Sequence, residues 1–310
     1  NIRNSIRKIN KFIIGNKTKN ELQQIYSSCN IQYIFLIDII KLHLTTEFTI
    51  INNEILTLNE PSKLYDDKNV LMDNVVTDEK RIVISSKDMS NDLKNAFVSI
   101  EDERFYKHNG IDLQGIARAA VVGIARGGNF TEGASTLTQQ LIKNNVFPNF
   151  TKEKTFYDKF QRKIQEQYLA VEVEKNINNK NVILENYLNT INLGAGTYGV
   201  QAATHKYFDK DVWDLNLSES ATLAGITQNP TQFNPIEHPQ ENAKRRKEVL
   251  DHMLDQKYIS QDEYNEALND DVYTRIQTAQ LENPEEESTV YTYFEDEVTN
   301  QVINDLMNIK

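Results

Sequence analysis

The segment AFVSIEDERFYKHNGID, residues 96–112, decides how the rest of the chain is interpreted. Its first part is apolar, and Phe97, Val98 and Ile100 are candidate core residues. A charged cluster follows at once, made up of Glu101, Asp102, Glu103, Arg104, Lys107 and His108. Because a buried segment delivers these side chains to the rim of the core, a carboxylate there can be partly desolvated, which raises its proton affinity toward that of a general base. A charged, solvated helix start is the alternative interpretation.

The composition is that of an ordinary globular protein. The 310 residues are 39% hydrophobic and 25% charged, which predicts one or two domains with a sizeable core. A net charge of −11 argues against general nucleic-acid binding. The lone cysteine, Cys29, excludes an intrachain disulfide and a cysteine-based zinc site.

Residues 1–60 are expected to form an amino-terminal segment near a membrane. Cations in the first 20 residues precede an apolar run at 31–44, the pattern of a cytoplasmic flank followed by an anchor. That run is shorter than the roughly 20 residues of a spanning helix, and Asp38, Lys41 and His43 interrupt it. A buried or interfacial helix is therefore favoured over a spanning one.

The remaining chain divides into three regions by composition and by the spacing of its apolar residues. Residues 61–90 contain short β-rich runs, KLYDDKNVLMDNVV and RIVIS, which predict a hairpin or a three-stranded element. Residues 91–282 show successive helical patterns and predict a mainly α domain. The acidic NPEEES begins a linker over 283–310.

Two helices and a glycine-rich loop follow the charged cluster. Asp112 is a candidate cap for the helix LQGIARAAVVGIAR, and the loop GGNFTEGAS is the likeliest mobile segment. Thr136 and Gln139 have the spacing of a capping box at the start of the next helix, with Lys143 one turn further on. Such a helix start can hold an anion such as a phosphate, although capping alone explains Thr136 equally well.

Residues 152–175 predict an amphipathic helix with a charged face. Arg162 precedes Glu166 by four positions, the less favourable order for an i, i+4 pair, so helix stability is a poor reason for this arrangement. A glutamate flanked by cations suits a reaction that releases an anion. A solvated charged face is the alternative.

A glycine pattern follows the next predicted helix. Gly194, Gly196 and Gly199 match G-x-G-x-x-G, but the residues before them have helical spacing, so we expect a tight turn between helices rather than a dinucleotide loop. Further on, Ser218 is expected to cap ESATLAGIT, and Ser260 with Glu263 predicts a capping box.

Five ordered motifs together carry a family resemblance. EDERFYKHNG, GASTLTQQLIKN, RKIQE, ILENYLNTINLGAGTYGVQAATHKYF and RRKEVL resemble the motifs of the family 51 peptidoglycan glycosyltransferases. The similarity runs from about Lys63 to about Tyr258. It implies a mainly α, lysozyme-like, two-lobed domain with a small β element before it. The implied location is the outer face of a bacterial cytoplasmic membrane.

The resemblance also implies a reaction, polymerisation of lipid II with inversion and release of undecaprenyl pyrophosphate. By similarity Glu101 is the general base, and Glu166 lies near the leaving pyrophosphate. The residues implied to contact the substrate are Asp102, Arg104, Arg118, Ser135, Thr138, Gln139, Gln140, Lys143, Arg162, Lys163, Glu185 and Asn189. No cofactor is required, although a divalent cation, Mg or Mn, is compatible with a pyrophosphate site. The implied partners are lipid II, the growing glycan chain, the membrane surface and cell-wall synthesis machinery.

A lipid-linked substrate calls for an apolar surface. We expect it to include Phe130, Phe147, Phe150 and Phe156, with burial of some of them in the core as the alternative.

Two other functions remain open, a lytic transglycosylase or muramidase and a non-catalytic cell-wall scaffold. The first has no use for a cationic pyrophosphate site, and the intact glutamates argue against the second. The tail VYTYFEDEV resembles the linker that enters a transpeptidase domain, and no K-T-G motif occurs, so a truncated bifunctional protein is expected.

Overall fold

The computed structural model describes residues 63–65, 68–69, 71–74, 80–126, 133–147 and 150–282, together with 297, 301 and 302. Most of these residues are helical, which confirms the predicted mainly α fold. In chain order the α-helices of the described ranges are α1 (Asn91–Glu101), α2 (Leu113–Ala125), α3 (Leu137–Val146), α4 (Phe156–Ile177), α5 (Lys180–Thr190), α6 (Val200–Phe208), α7 (Leu217–Ile226), α8 (Pro239–Asp255), α9 (Gln261–Asn269) and α10 (Val272–Glu282). Two short 3₁₀ helices span Phe150–Lys152 and Val212–Asp214.

The small β element precedes the helices, as predicted. Strand β1 (Lys63–Tyr65) pairs antiparallel with β2 (Leu71–Asn74), and Lys63 lies opposite Asn74. A second pair, β3 (Lys80–Arg81) with β4 (Thr197–Tyr198), is parallel. This pair joins the segment before α1 to the turn before α6.

The prediction that RIVIS, residues 81–85, is a strand is largely wrong. Only Arg81 lies in β3, and the backbone of Ile84 is instead bound by the side chain of Asn189. Asn189 Oδ1 accepts from the Ile84 amide at 3.0 Å, and Asn189 Nδ2 donates to the Ile84 carbonyl at 2.8 Å. A side-chain amide thus replaces a neighbouring strand as the hydrogen-bond partner.

The core holds the carboxyl end of α1 in place. Helices α1, α7 and α8 pack against one another, and α3 packs against α4 and α5. The ring of Phe97 meets that of Tyr187 edge to face, with 6.3 Å between centroids. Fully buried apolar side chains from these helices include Leu93, Phe97, Leu137, Leu141, Leu188, Leu223, Val249 and Leu250. Glu101, the last residue of α1, therefore follows a segment that is fixed on several sides.

The helix caps agree with the sequence at two sites and differ at two others, Asp112 and Ser218. The hydroxyl of Thr136 accepts from the Gln139 amide at 3.2 Å, and Ser260 forms its box with Glu263. Ser218, however, does not cap α7. Asn216 does, since its side chain accepts from the Glu219 amide at 2.8 Å while Glu219 accepts from the Asn216 amide at 3.1 Å. The expected cap was wrong because Asn216 and Glu219 already have the spacing of a capping box.

The glycine turn lies between helices, as predicted. Gly194, Gly196 and Gly199 all have positive φ. A Cβ atom at Gly199 would lie 2.7 Å from the carbonyl oxygen of Asn189, so this close approach requires glycine. Helix α5 comes before the turn, which excludes the strand context of a dinucleotide loop.

Several predictions lie outside the described residues. They concern the segment 1–60, most of the glycine-rich loop with Phe130, the side chain of Phe156, and the linker from 283 onward. None of the helices that the structure describes is both long and apolar enough to cross a membrane.

Candidate active site

Three helices contribute to the surroundings of the Glu101 carboxylate. Glu101 ends α1, and its Oε2 atom accepts a hydrogen bond of 2.7 Å from Nε2 of Gln140 on α3. Its Oε1 atom accepts a hydrogen bond from the hydroxyl of Thr227, which follows α7. Each carboxylate oxygen has two acceptor positions, and each has one hydrogen-bond partner among the described residues. The carboxylate is thus oriented without being saturated.

A buried tyrosine orients Gln140. The hydroxyl of Tyr187 donates to Oε1 of Gln140 at 3.3 Å. Burial raises the pKa of Tyr187 well above its ordinary value, and the negative charges of Glu101 and Asp102 add to that effect. Tyr187 therefore stays protonated and acts as a donor. Because it occupies the amide oxygen of Gln140, the amide NH₂ faces Glu101.

The second carboxylate, Glu166, is fully buried on α4 and is paired with cations. Its Oε2 atom lies 2.9 Å from Nζ of Lys163, and its Oε1 atom pairs with Nη1 of Arg162. Lys163 also donates to Oγ of Ser135 at 2.6 Å, and Nε of Arg162 lies 2.8 Å from Glu153. The alternative of a solvated charged face is therefore wrong at Glu166. A buried carboxylate is tolerable here because charged donors compensate both of its oxygens.

Lys143 lies within electrostatic range of both carboxylates. It is half-buried on α3, one turn beyond Gln140, with Nζ 5.0 Å from the centroid of the Phe150 ring. Burial lowers the pKa of Lys143, Lys163 and Arg162 lower it further, and Glu166 and Glu101 oppose that shift. Helix α3 contacts both groups, since Gln140 donates to Glu101 and Ser135, just before the helix, accepts from Lys163. The acidic and cationic side chains predicted from separate motifs therefore lie around one helix.

Two predicted contact residues lie behind this site. Asp102 is 5% exposed, and its carboxylate accepts from Nε2 of His108 at 2.9 Å and from the amide of Leu137 at 2.9 Å. The bond to Leu137 fixes the position of the first turn of α3. Gln139 is also buried and donates to the carbonyl of Gly110 at 3.3 Å. Both side chains position the site from within the protein.

Three more predicted residues have protein partners of their own. Thr138 is buried and donates to Glu174 at 2.6 Å. Asn189 holds the segment around Ile84, as described above, and Glu185 accepts from the amide of Ser86 at 2.7 Å. In this structure these side chains support the helices that carry the site. Direct contact of any of them with a substrate stays a prediction.

The two arginines that follow Glu101 are paired with acids. Nη2 of Arg104 lies 2.6 Å from Asp112, and Nη1 of the exposed Arg118 lies 3.3 Å from Glu103. Asp112 precedes α2, but its side chain does not cap that helix. These partners compensate part of the arginine charge, and the predicted contacts of Arg104 and Arg118 with pyrophosphate stay predictions.

Sequence reasoning missed three residues of the site. Thr227 is far from Glu101 along the chain and belongs to none of the five motifs. Glu153, which accepts from Arg162, belongs to none of the five motifs either. Tyr187 lies inside the motif ILENYLNTINL, and its position there was the available signal.

The described residues provide no protein-built metal site. Among them, no group of three or more histidine, cysteine, aspartate or glutamate side chains could hold a metal ion. The presence of a divalent cation at the site stays a prediction.

Comparison with known proteins gives consistent matches. The family model described as Transglycosylase matches residues 68–254. Penicillin-binding protein 1A of Clostridium perfringens (strain ATCC 13124) is 44% identical over 260 residues, 81% of this chain and 30% of that protein. The protein of the same name from Clostridium acetobutylicum is 45% identical over 266 residues, 83% of this chain and 32% of that protein. The chain thus spans about a third of the length of these relatives.

Solved structures match as well. One of them is a crystal structure of penicillin-binding protein 1A from Haemophilus influenzae, 25% identical, covering 69% of this chain and 21% of that one. The TM-score is 0.36, which is too low to support conclusions about the arrangement of the site.

Proposed function

The chain belongs to the transglycosylase family, as its five motifs predicted, and on that premise we propose that it is a peptidoglycan glycosyltransferase that polymerises lipid II. The helical content agrees with the lysozyme-like domain expected of this family. The observation that carries the proposal is the position of α3: its Gln140 donates to Glu101, and Ser135 just before it accepts from Lys163, the partner of Glu166. A proton acceptor and an anion-binding cluster are thereby available to one substrate.

Glu101 acts as the general base of this reaction. The 4-hydroxyl of the acceptor sugar loses its proton to Glu101, and its oxygen forms a bond to C1 of the donor sugar. The bond from C1 to the pyrophosphate oxygen breaks at the same time, and undecaprenyl pyrophosphate leaves with that electron pair. A sugar hydroxyl is a weak acid, and a positioned base typically contributes roughly 10²–10⁴-fold to the rate.

The cationic cluster stabilises the departing pyrophosphate. Arg162 pairs with Glu153 and Glu166, and Lys163 pairs with Glu166, whereas Lys143 has no ion pair with a residue that the structure describes. Glu166 fixes the cations in position, and their preorganised charge acts where negative charge develops in the transition state. Lys143, whose contact is with an aromatic face, supplies the charge that the carboxylates compensate least.

An exposed apolar stripe on α2 supports contact with a membrane. Leu113, Val121 and Ile124 are 73%, 67% and 72% exposed, and the exposed Arg118 lies on the same helix. Exposed apolar side chains beside cations are typical of surfaces that bind anionic bilayers. The substrate's lipid tail and the expected location at the outer face of the cytoplasmic membrane both fit such a surface.

This stripe replaces part of the expected phenylalanine surface. Phe147 and Phe150 are half-buried, and the ring of Phe150 lies beneath Lys143. Phe150 thus belongs to the cationic cluster rather than to an open apolar face. Partners in the cell-wall synthesis machinery stay a prediction for the longer proteins of this family.

The proposed activity is tested by incubating the purified chain with lipid II and separating the glycan products by size. Wild type is expected to form polymer, and Glu101→Gln is expected to lose at least about 10²-fold in rate. Glu266→Gln changes an exposed acid on α9 and serves as the matched control, with unchanged activity. Polymer formation by Glu101→Gln at the wild-type rate would remove the proposed base. Cleavage of finished glycan without polymerisation would identify a lytic enzyme instead.

A further inference from the structure

The hydroxyl of Thr227 lies between two acceptors. One is Oε1 of Glu101, and the other is the carbonyl oxygen of Ala224, at 2.9 Å. A hydroxyl has one hydrogen, so it cannot donate fully to both acceptors at once. A bond to the carbonyl three residues earlier is common for threonine near a helix end. The bond to Glu101 is not local, since it links the end of α7 to the end of α1.

Gln140, which donates to the other oxygen of Glu101, has no comparable second acceptor among the described residues. Tyr187 fixes the amide of Gln140, so Nε2 of Gln140 faces Oε2 of Glu101 whether or not the carboxyl group is charged. Thr227 differs because its O–H bond can rotate while its oxygen atom stays in place. The branched side chain restricts rotation about χ1, which keeps that oxygen near Glu101.

We propose that Thr227 is a positioning residue that serves Glu101 in both of its protonation states. While Glu101 is a carboxylate, the Thr227 hydroxyl donates to Oε1 in a charge-assisted hydrogen bond. When Glu101 takes the proton of the sugar hydroxyl, Oε1 becomes a weaker acceptor, and the Thr227 hydrogen turns to the carbonyl of Ala224. Thr227 keeps its own proton throughout, so no net transfer passes through it. This role rests on the proposed function of Glu101 as the base.

The consequence is that the Thr227 hydroxyl holds the Glu101 carboxylate through Oε1, while Gln140 holds it through Oε2. Removing the hydroxyl leaves the carboxylate held through Oε2 alone. The loss should slow the chemical step more than it weakens substrate binding, because Thr227 contacts the base and not the pyrophosphate cluster. A purely structural role would not separate kcat from KM in this way.

The test compares Thr227→Val, which lacks the hydroxyl, with Thr227→Ser, which retains it. In lipid II polymerisation, Thr227→Val is expected to lower kcat by about 10- to 100-fold with little change in KM. Thr227→Ser should restore most of the rate. Thr204→Val is the matched control, since the buried hydroxyl of Thr204 donates only to a carbonyl within α6.

A second measurement separates this proposal from the proposed activity. Carboxyl-labelled glutamate is followed by carbon NMR in the apo protein, with Glu101 assigned by its absence in Glu101→Gln. The carboxyl resonance of Glu101 is expected to change its chemical shift in Thr227→Val, which lacks the donor, and not in Thr204→Val. An unchanged resonance in Thr227→Val overturns the role of Thr227, even if wild type polymerises lipid II. A wild type without polymerase activity counts against the proposed function alone, because the resonance still decides the contact.

Discussion

The carboxylate of Glu166 lies 2.9 Å from the ammonium group of Lys163 and is fully buried. Lys163 is partly exposed and Arg162 is mostly buried, so Glu166 is the member of the cluster that depends most on its partners. The cluster therefore contributes to the stability of α4 as well as to the charge of the site. Its loss should be measurable without any substrate.

Glu166→Gln is expected to destabilise the protein by about 3 kcal/mol, because two cations then lose a buried partner. The measurement is urea unfolding followed by circular dichroism. Glu172→Gln is the control on the same helix, where the pair with Lys175 is exposed and long at 3.9 Å, and it should cost less than about 0.5 kcal/mol. Equal stability of the two variants would contradict the inferred role of Glu166.

Lys143 should set the basic limb of the pH–rate profile. Its pKa is lowered, by burial first, so its ammonium group loses its charge at a lower pH than an ordinary lysine does. As pH rises through that lowered pKa, the site loses the cation that faces the pyrophosphate, and the rate falls. Lys143→Arg should move this limb to higher pH, because arginine stays charged. A limb that stays at the wild-type pH in Lys143→Arg would exclude Lys143 as its origin.

Tyr187→Phe should loosen Gln140 and, through it, Glu101. We expect kcat to fall about 3- to 10-fold with little change in KM, the size of effect typical of one lost hydrogen bond. The double variant with Gln140→Ala measures the coupling, and its effect should be smaller than the sum of the two single effects. Fully additive losses would show that the two side chains act separately.

The stripe on α2 should govern binding to vesicles. Changing Leu113, Val121 and Ile124 to serine is expected to weaken flotation with anionic liposomes by more than about tenfold, because the apolar area that enters the interface is lost. Trp213→Ser and Leu281→Ser remove exposed apolar side chains elsewhere, at 54% and 82% exposure, and should leave flotation unchanged. An equal loss of flotation in both sets of variants would show that exposed apolar side chains bind vesicles wherever they lie, and not only on α2.

The sequence predicted the helical fold and brought Glu101, Lys143 and Glu166 into one hypothesis through ordered motifs. It could not predict the burial of Glu166, because helical periodicity places a residue on a face but does not reveal which neighbouring helix covers that face. The role of Thr227 could not be predicted from the sequence, for a related reason. Its contact with Glu101 arises from the packing of α7 against α1, and no local pattern encodes it.

Short elements were less predictable than long ones. The predicted capping site of α7 was wrong by two residues because serine and asparagine are both good caps. Asn216 is the cap because it forms the reciprocal bonds with Glu219. The RIVIS run has the composition of a strand, yet most of its residues find no strand partner in the described structure. Strand formation depends on such a partner, and a side-chain amide from α5 takes that place.

Asp102 follows Glu101 in the chain, and its carboxylate accepts a hydrogen bond from the amide of Leu137, where α3 begins. The helix that carries Gln140 and Lys143 is thus attached to the residue next to Glu101. This bond should preserve the spacing between Glu101 and Lys143 even if the surrounding loops rearrange. Under the proposed mechanism, every round of bond formation would then take place at the same distance between base and cation.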